Sequence, residues 1–308
     1  MLFIGNSYVK YGSLSIDIPA TYKLLADGAE KCVAVNSAAN LGWTLSQHAT
    51  DAGTAAKINS KPWDIVVLQD QSDNYYSGSG FLNGARALKT KIKANNACTR
   101  VMLYLIPAWN DPWSPSVQTT FTNKTKSVQN TLDEATCPTG EGWRKASNDS
   151  FSVSSLFDDG QHPSELGEYL ISSAFFARIH KESAVGLITL AGVTAAQAAK
   201  LQGYADAAVF SGGGTNFVEW EDGAPGGAFA PKWCSASCPS TELDECGQQI
   251  ANIISTDPAV CSTQIPYSHL GNGDPSVWLW YSTGCGCGYK RIAVDSCPGG
   301  GPVDPIRP

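Results

Sequence analysis

Met1-Leu2-Phe3-Ile4-Gly5-Asn6-Ser7 opens the chain, and the reading of this stretch decides the fold. An unbroken apolar run of this length reads as a strand buried on both faces, as strands of parallel sheets are. Gly5-Asn6-Ser7 then ends it. Glycine permits a tight backbone, and the Ser7 hydroxyl can project from the carboxyl edge of the sheet, where α/β proteins place their ligands. Serine alone is a poor nucleophile without an adjacent base, and Gly-Asn-Ser is also an ordinary turn tripeptide. What the turn does therefore depends on the rest of the chain.

Outward from this turn, short apolar runs alternate with helical patterns. The runs at residues 2–4, 32–35, 65–68 and 101–106 have strand length, and a fifth strand is expected beside Cys137. Helical patterns cover residues 19–30, with Asp17 as cap and Pro19 in the first turn, then 84–95, 118–134, 163–179 and 195–209. Such alternation predicts βαβ units, a parallel sheet and helices on both faces: a three-layer α/β/α, flavodoxin-like fold. Composition changes at Phe210-Ser211-Gly212-Gly213-Gly214-Thr215, and glycine and proline recur as far as Gly227. The expected organisation is an α/β domain over 1–209, a Gly/Pro-rich linker over 210–231 and a small cysteine-rich domain over 232–308. Within the last, residues 241–254 read as a helix and 276–282 as a strand.

The chain has 308 residues, of which 43% are hydrophobic, so a sizeable core can form. Only 16% are charged, the formal net charge is −7 and no basic run occurs, which excludes the electrostatic footprint of a nucleic-acid partner. No apolar stretch approaches the roughly 18 residues of a membrane span. Cys32, Cys98 and Cys137 are spread through the first part, whereas the other seven of ten cysteines lie from Cys234 onward. That density suits a small unit stapled by disulfides. A zinc site is the rival reading, but the cysteine spacings are irregular and His269 is the only histidine in that segment. Two sequons, Asn123-Lys124-Thr125 and Asn148-Asp149-Ser150, also fit secretion. Since the first residues already read as a buried strand, the sequence is expected to be a mature chain without its signal peptide.

A base for Ser7 is offered by Asp158-Asp159-Gly160-Gln161-His162-Pro163-Ser164. Asp159 and His162 are two residues apart on a loop, before a helix that Pro163 can start. The carboxylate can fold back on the imidazole and fix its tautomer, leaving the other ring nitrogen for a serine proton. Read blandly, Asp159 would cap the helix and His162 would be incidental.

Together the two segments resemble the SGNH (GDSL-like) hydrolase family. Phe3-Ile4-Gly5-Asn6-Ser7 looks like that family's first block, and Asp159-Gly160-Gln161-His162 like its last. Asn40-Leu41-Gly42-Trp43-Thr44-Leu45 resembles the glycine block, and Asp64-Ile65-Val66-Val67-Leu68-Gln69-Asp70-Gln71-Ser72 stands where the family has Gly-x-Asn-Asp. The resemblance covers about residues 1–205, in the family's block order, and leaves out the cysteine-rich end. It implies Ser7 as nucleophile, His162 as base and Asp159 as its partner, with the N–H groups of Ser7 and Gly42 as oxyanion donors. The family's asparagine donor is missing; Gln71 is the expected substitute, ahead of Gln69 and Asn74. No metal or cofactor is implied. The resemblance further implies that Cys98, opening the fourth strand, pairs with Cys137 beside the fifth. Cys32 then remains for one cysteine of the terminal unit, making five disulfides.

The activity so implied is hydrolysis of O-acyl, particularly O-acetyl, esters on extracellular carbohydrate, with lipid or aryl esters as the next choice. The rival of another class is a non-catalytic matrix or carbohydrate-binding protein on the same scaffold. Asn74, Trp109 and Trp113 are candidates for binding substrate. His48 reads as a structural or rim residue, and Trp278, Trp280 and Tyr281 as core or as a sugar-stacking face.

Overall fold

The computed structural model describes residues 1–12, 16–31, 33–97, 99–109, 114–211 and 217, together with the backbone pairing of 276–283 and 286–293. Met1–Ala29 and Val35–Trp220 form one compact unit, which carries the main sheet. Its elements in chain order are β1 (Leu2–Gly5), the short strands β2 (Lys10–Tyr11) and β3 (Ile16–Asp17), α1 (Ile18–Gly28), β4 (Asn36–Ala39), α2 (Leu45–Thr50) and α3 (Ala52–Asn59). There follow β5 (Ile65–Leu68), α4 (Ser72–Tyr76), α5 (Gly80–Asn95), β6 (Arg100–Tyr104), α6 (Pro115–Leu132) and β7 (Ala135–Cys137). The unit ends with α7 (Thr139–Asp149), α8 (Val153–Leu156), α9 (Glu165–His180) and α10 (Ala195–Val209). Outside it, β8 (Ser276–Thr283) and β9 (Gly286–Ala293) pair antiparallel, Trp280 opposite Tyr289. The helix expected over 241–254 lies outside the described residues.

The main sheet runs β4-β1-β5-β6-β7, and every pairing in it is parallel. This is the expected three-layer α/β/α fold with its flavodoxin-like strand order. All residues of β1, β5 and β6 are buried, because helices cover both faces. One layer is built from α1, α7, α9 and α10, the other from α2 to α6. Helix α9 is buried almost all round from Gly167 to Ile179 and is the hub of its layer. Asp17 caps α1 by accepting the Ala20 N–H at 3.0 Å, as the sequence predicts. Strand order reverses between β1 and β5, so the crevice at their carboxyl ends is the natural ligand position. Among the described residues no helix is long and apolar enough to cross a membrane.

Two expectations are corrected. The second strand is Asn36–Ala39, not residues 32–35. Its register against β1 sets Asn36 opposite Leu2, and only β1 flanks it, so this edge strand tolerates polar residues that hide it from a search for apolar runs. Cys137 is a buried free thiol, so the Cys98–Cys137 bridge is not formed. Cys137 lies opposite Tyr104 at the carboxyl end of β6. The remaining disulfide expectations lie outside the described residues.

The layer beside the candidate site depends on a close approach of α5 to α2. A Cβ on Gly84 would stand 2.6 Å from both the Leu45 Cβ and the Ser46 backbone nitrogen. Gly84→Ala is expected to cost about 1–3 kcal/mol through overpacking, read as a lower urea midpoint. An unchanged midpoint would show that α2 can shift freely.

Candidate active site

Ser7 stands on a turn closed by the Asn6 carbonyl, which accepts the N–H groups of Val9 at 2.9 Å and Lys10 at 3.1 Å. The Asn6 side chain accepts the Tyr8 N–H at 3.1 Å and donates to the Trp43 carbonyl at 3.1 Å. Gly5 is there for space: a Cβ would lie 2.3 Å from the Gln69 Oε1 and 2.7 Å from Val9 Cγ2. The sequence thus bends sharply as β1 leaves the sheet, and Ser7 is 9% exposed.

The loop bearing His162 is closed by Asp158 N–H donating to the His162 carbonyl at 2.9 Å and by a bridge between Phe157 and Pro163. Gly160 supplies a left-handed φ of 85°. Asp159 Oδ1 accepts the N–H groups of Gln161 at 3.0 Å and His162 at 2.7 Å. This leaves Oδ2 to face His162 Nδ1 at 2.7 Å. On the far side of the ring, His162 Nε2 lies 2.8 Å from Ser7 Oγ. The carboxylate fixes the proton on Nδ1, so Nε2 is free to accept the serine proton. Burial pushes the Asp159 carboxyl up, but the His162 backbone N–H, its ring and the Gln161 N–H outweigh it and hold the group below its ordinary range. The Tyr11 ring lies 4.5 Å and the Tyr8 ring 5.7 Å from the imidazole, keeping it from swinging away. Ser164, not Asp159, caps α9, by accepting the Gly167 N–H at 3.4 Å.

A cleft of about 260 Å³ opens over Ser7 and His162, with Tyr11, Leu41, Gly42 and Gln71 in its walls. Gly42 has φ 71°, and nothing lies within 4 Å of where its Cβ would be, so glycine is required there by backbone conformation. Among the described residues neither the Ser7 N–H nor the Gly42 N–H has a hydrogen-bond partner.

The residues after β5 divide their work. Gln71 borders the cleft, yet its side chain also caps α4, accepting the Asp73 N–H at 2.8 Å and donating to Asp73 Oδ2 at 3.0 Å. One amide N–H of Gln71 remains. Gln69 is fully buried and accepts the Asn6 N–H at 2.8 Å. Asp70, also fully buried, accepts the N–H groups of Leu45 and Gln71, each at 2.8 Å, and the Asn74 amide at 3.0 Å. Burial raises its pKa, against those three donors. Asn74 is thus engaged with Asp70. Trp109 packs on Tyr76 at 5.7 Å and on Phe121 at 5.4 Å; Trp113 lies outside the described residues. Among the described residues no group of three or more His, Cys, Asp or Glu side chains is arranged to hold a metal ion.

Sequence reading passed over Gln69 and Asp70 as ties, and Tyr11 as a wall, because none stands in a recognisable spacing. His48 is a buried residue and not a rim one: Nε2 lies 2.8 Å from the Gly5 carbonyl and Nδ1 2.9 Å from Thr54 Oγ1. The carbonyl only accepts, so Nε2 carries the proton. Burial pushes the His48 pKa below its ordinary 6.5, against the opposing pull of the Gly5 carbonyl and Asp51. The unfolded chain therefore takes up a proton where the folded chain does not. Stability from this group is complete above pH 6.5 and is lost as pH falls below it. Urea midpoints measured from about pH 7 to about pH 5 should fall more steeply for the parent than for His48→Gln. Parallel profiles would mean that His48 charges as easily folded as unfolded.

No protein-family model matches the sequence, and no curated protein is similar to it. Solved structures are similar. A DUF4886 family protein from Bacteroides uniformis has a TM-score of 0.53 at 15% identity, over 71% of this chain and 96% of its own. The esterase EstA from a Pseudoalteromonas species has a TM-score of 0.45 at 16% identity, over 58% of this chain and 96% of its own. An acetylxylan esterase from Geobacillus stearothermophilus has a TM-score of 0.45 at 15% identity, over 61% of this chain and 94% of its own. The three-layer fold is thus shared with the DUF4886 family protein, and GDSL-like esterases stand among the chain's structural neighbours.

Proposed function

We propose that this chain is a secreted serine ester hydrolase that removes small O-acyl groups, particularly O-acetyl, from carbohydrate. One observation carries the reading: Ser7 Oγ, the His162 ring and the Asp159 carboxylate stand in line at 2.8 Å and 2.7 Å, at the crevice where strand order reverses. In the proposed reaction Ser7 Oγ attacks the ester carbonyl carbon as its proton passes to His162 Nε2. Asp159 stabilises the imidazolium so formed. The carbonyl oxygen, now negative, sits against the N–H groups of Ser7 and Gly42 and the remaining N–H of Gln71. As the intermediate collapses, the C–O bond to the alcohol breaks and His162 returns the proton to that oxygen. Water then attacks the acyl-serine, with His162 again taking and returning a proton, and releases the acid. No step needs a metal or an organic cofactor.

The small cleft supports a short acyl group. The acidic, low-charge composition suits a neutral carbohydrate and argues against a strongly anionic polymer. Asn123 and Asn148 of the two sequons are both exposed, which supports secretion and glycosylation. The residues over 232–308 are proposed as a separate small cysteine-rich domain with a binding role, after a Gly/Pro-rich linker over 210–231.

Two experiments test this reading. Ser7→Ala is expected to abolish hydrolysis of p-nitrophenyl acetate and of an acetylated oligosaccharide, with the melting temperature unchanged. A fluorophosphonate should label the parent at Ser7 and leave the variant unlabelled; equal turnover by both proteins sinks the assignment. Gln71→Ala is expected to lower kcat by about 10² to 10³, the usual effect of removing one oxyanion donor. A parent-like kcat would confine Gln71 to capping α4.

A further inference from the structure

We infer that His48 is a positioning residue of the oxyanion hole, fixing the spacing between the N–H groups of Ser7 and Gly42. The inference rests on the esterase reading of Ser7. The two donors come from different segments, and the Gly5 carbonyl is where those segments meet. That carbonyl accepts the Asn40 N–H at 3.1 Å and the His48 Nε2–H at 2.8 Å. Residues 40 and 48 bracket Gly42 on the same loop and helix, so the Gly42 loop is tied to the end of β1 on both sides of the donor it carries. The nitrogen of the same Gly5–Asn6 peptide is held by Gln69 Oε1 at 2.8 Å. With both poles held, that peptide cannot rotate; the Asn6 carbonyl, which accepts from Val9 at 2.9 Å and Lys10 at 3.1 Å, then orients the next peptide and with it the Ser7 N–H.

His48 suits this work better than a backbone donor would. It sits on α2, whose first turn is closed by a reciprocal cap between Thr44 and Gln47. Its ring is 1% exposed and packs on Trp43, the residue after Gly42, at 5.1 Å between ring centres. Its second nitrogen is held by Thr54, whose N–H in turn is held by Asp51 at 2.6 Å. The ring is therefore a rigid strut between α3, the glycine loop and the nucleophile turn. His48 touches no reacting atom; it acts through the Gly5–Asn6 peptide and the loop. Two N–H groups that must converge on one oxygen tolerate little error, since displacement of about 1 Å costs on the order of 10² in rate.

The test compares His48→Phe, which keeps the ring shape without the donor, with His48→Gln, whose amide reaches the same carbonyl. Turnover of p-nitrophenyl acetate is referred to sites titrated by fluorophosphonate, so that misfolded molecules drop out. His48→Phe should lower kcat per site by roughly 10- to 100-fold with KM within about twofold, and slow the labelling of Ser7 in parallel. His48→Gln should regain most of both rates. A parent-like kcat in His48→Phe, a glutamine variant as slow as the phenylalanine one, or a loss confined to KM overturns the role of His48. A parent that is neither active nor labelled overturns the esterase reading, and this inference with it.

Discussion

Strand β1 ends in a peptide whose polar groups are both committed within the fold. Gly5 donates no side chain to the sheet, and this absence lets Gln69 come close enough to receive the Asn6 N–H. A buried amide left unpaired would cost about 1–3 kcal/mol, so the pairing is as much a condition of folding as of geometry. The Ser7 turn, the glycine loop and the segment after β5 all converge here. Asp70 extends the same logic by collecting donors from the Leu45 and Gln71 backbone. Three segments far apart in sequence are thus held at one edge by side chains that do not face the cleft.

The loop bearing Asp159 and His162 works by a different device. It is stiffened locally, by backbone donors to the carboxylate and a left-handed glycine, and needs little from the sheet. Exposure grades along the line: Ser7 is the most buried, the His162 side chain is 14% exposed and that of Asp159 40%. The charged end stands nearest to water, where its solvation is cheap, and the serine hydroxyl lies where water is scarce and electrostatic effects are strongest.

Much of this was legible in the sequence, for identifiable reasons. Ser7, Gly42 and the Asp159–His162 pair were singled out by the resemblance of four blocks in order, since each segment alone also reads as an ordinary turn or cap. The parallel sheet was visible wherever strands are buried on both faces, as in β1, β5 and β6. Asn36–Ala39 was not, since an edge strand carries no such signature. The ties made by His48, Gln69 and Asp70 were opaque for another reason: each includes a bond to a backbone atom 25 to 63 positions away, and such pairings have no local pattern. The family resemblance also misled the reading of Cys137, which the structure leaves as a buried free thiol.

The buried thiol of Cys137 alters the redox stoichiometry of the whole chain. Of ten cysteines, one is sealed in the sheet where burial lifts its pKa and keeps it unreactive. Nine other cysteines remain in this sequence, an odd number, so they cannot all pair among themselves. During oxidative folding Cys137 is hazardous only until β7 docks; afterwards the layers of the domain protect it. The second odd sulfur has no such guarantee. Its fate rests with what surrounds it: a small-molecule cap, oxidation, or a covalent link to another chain.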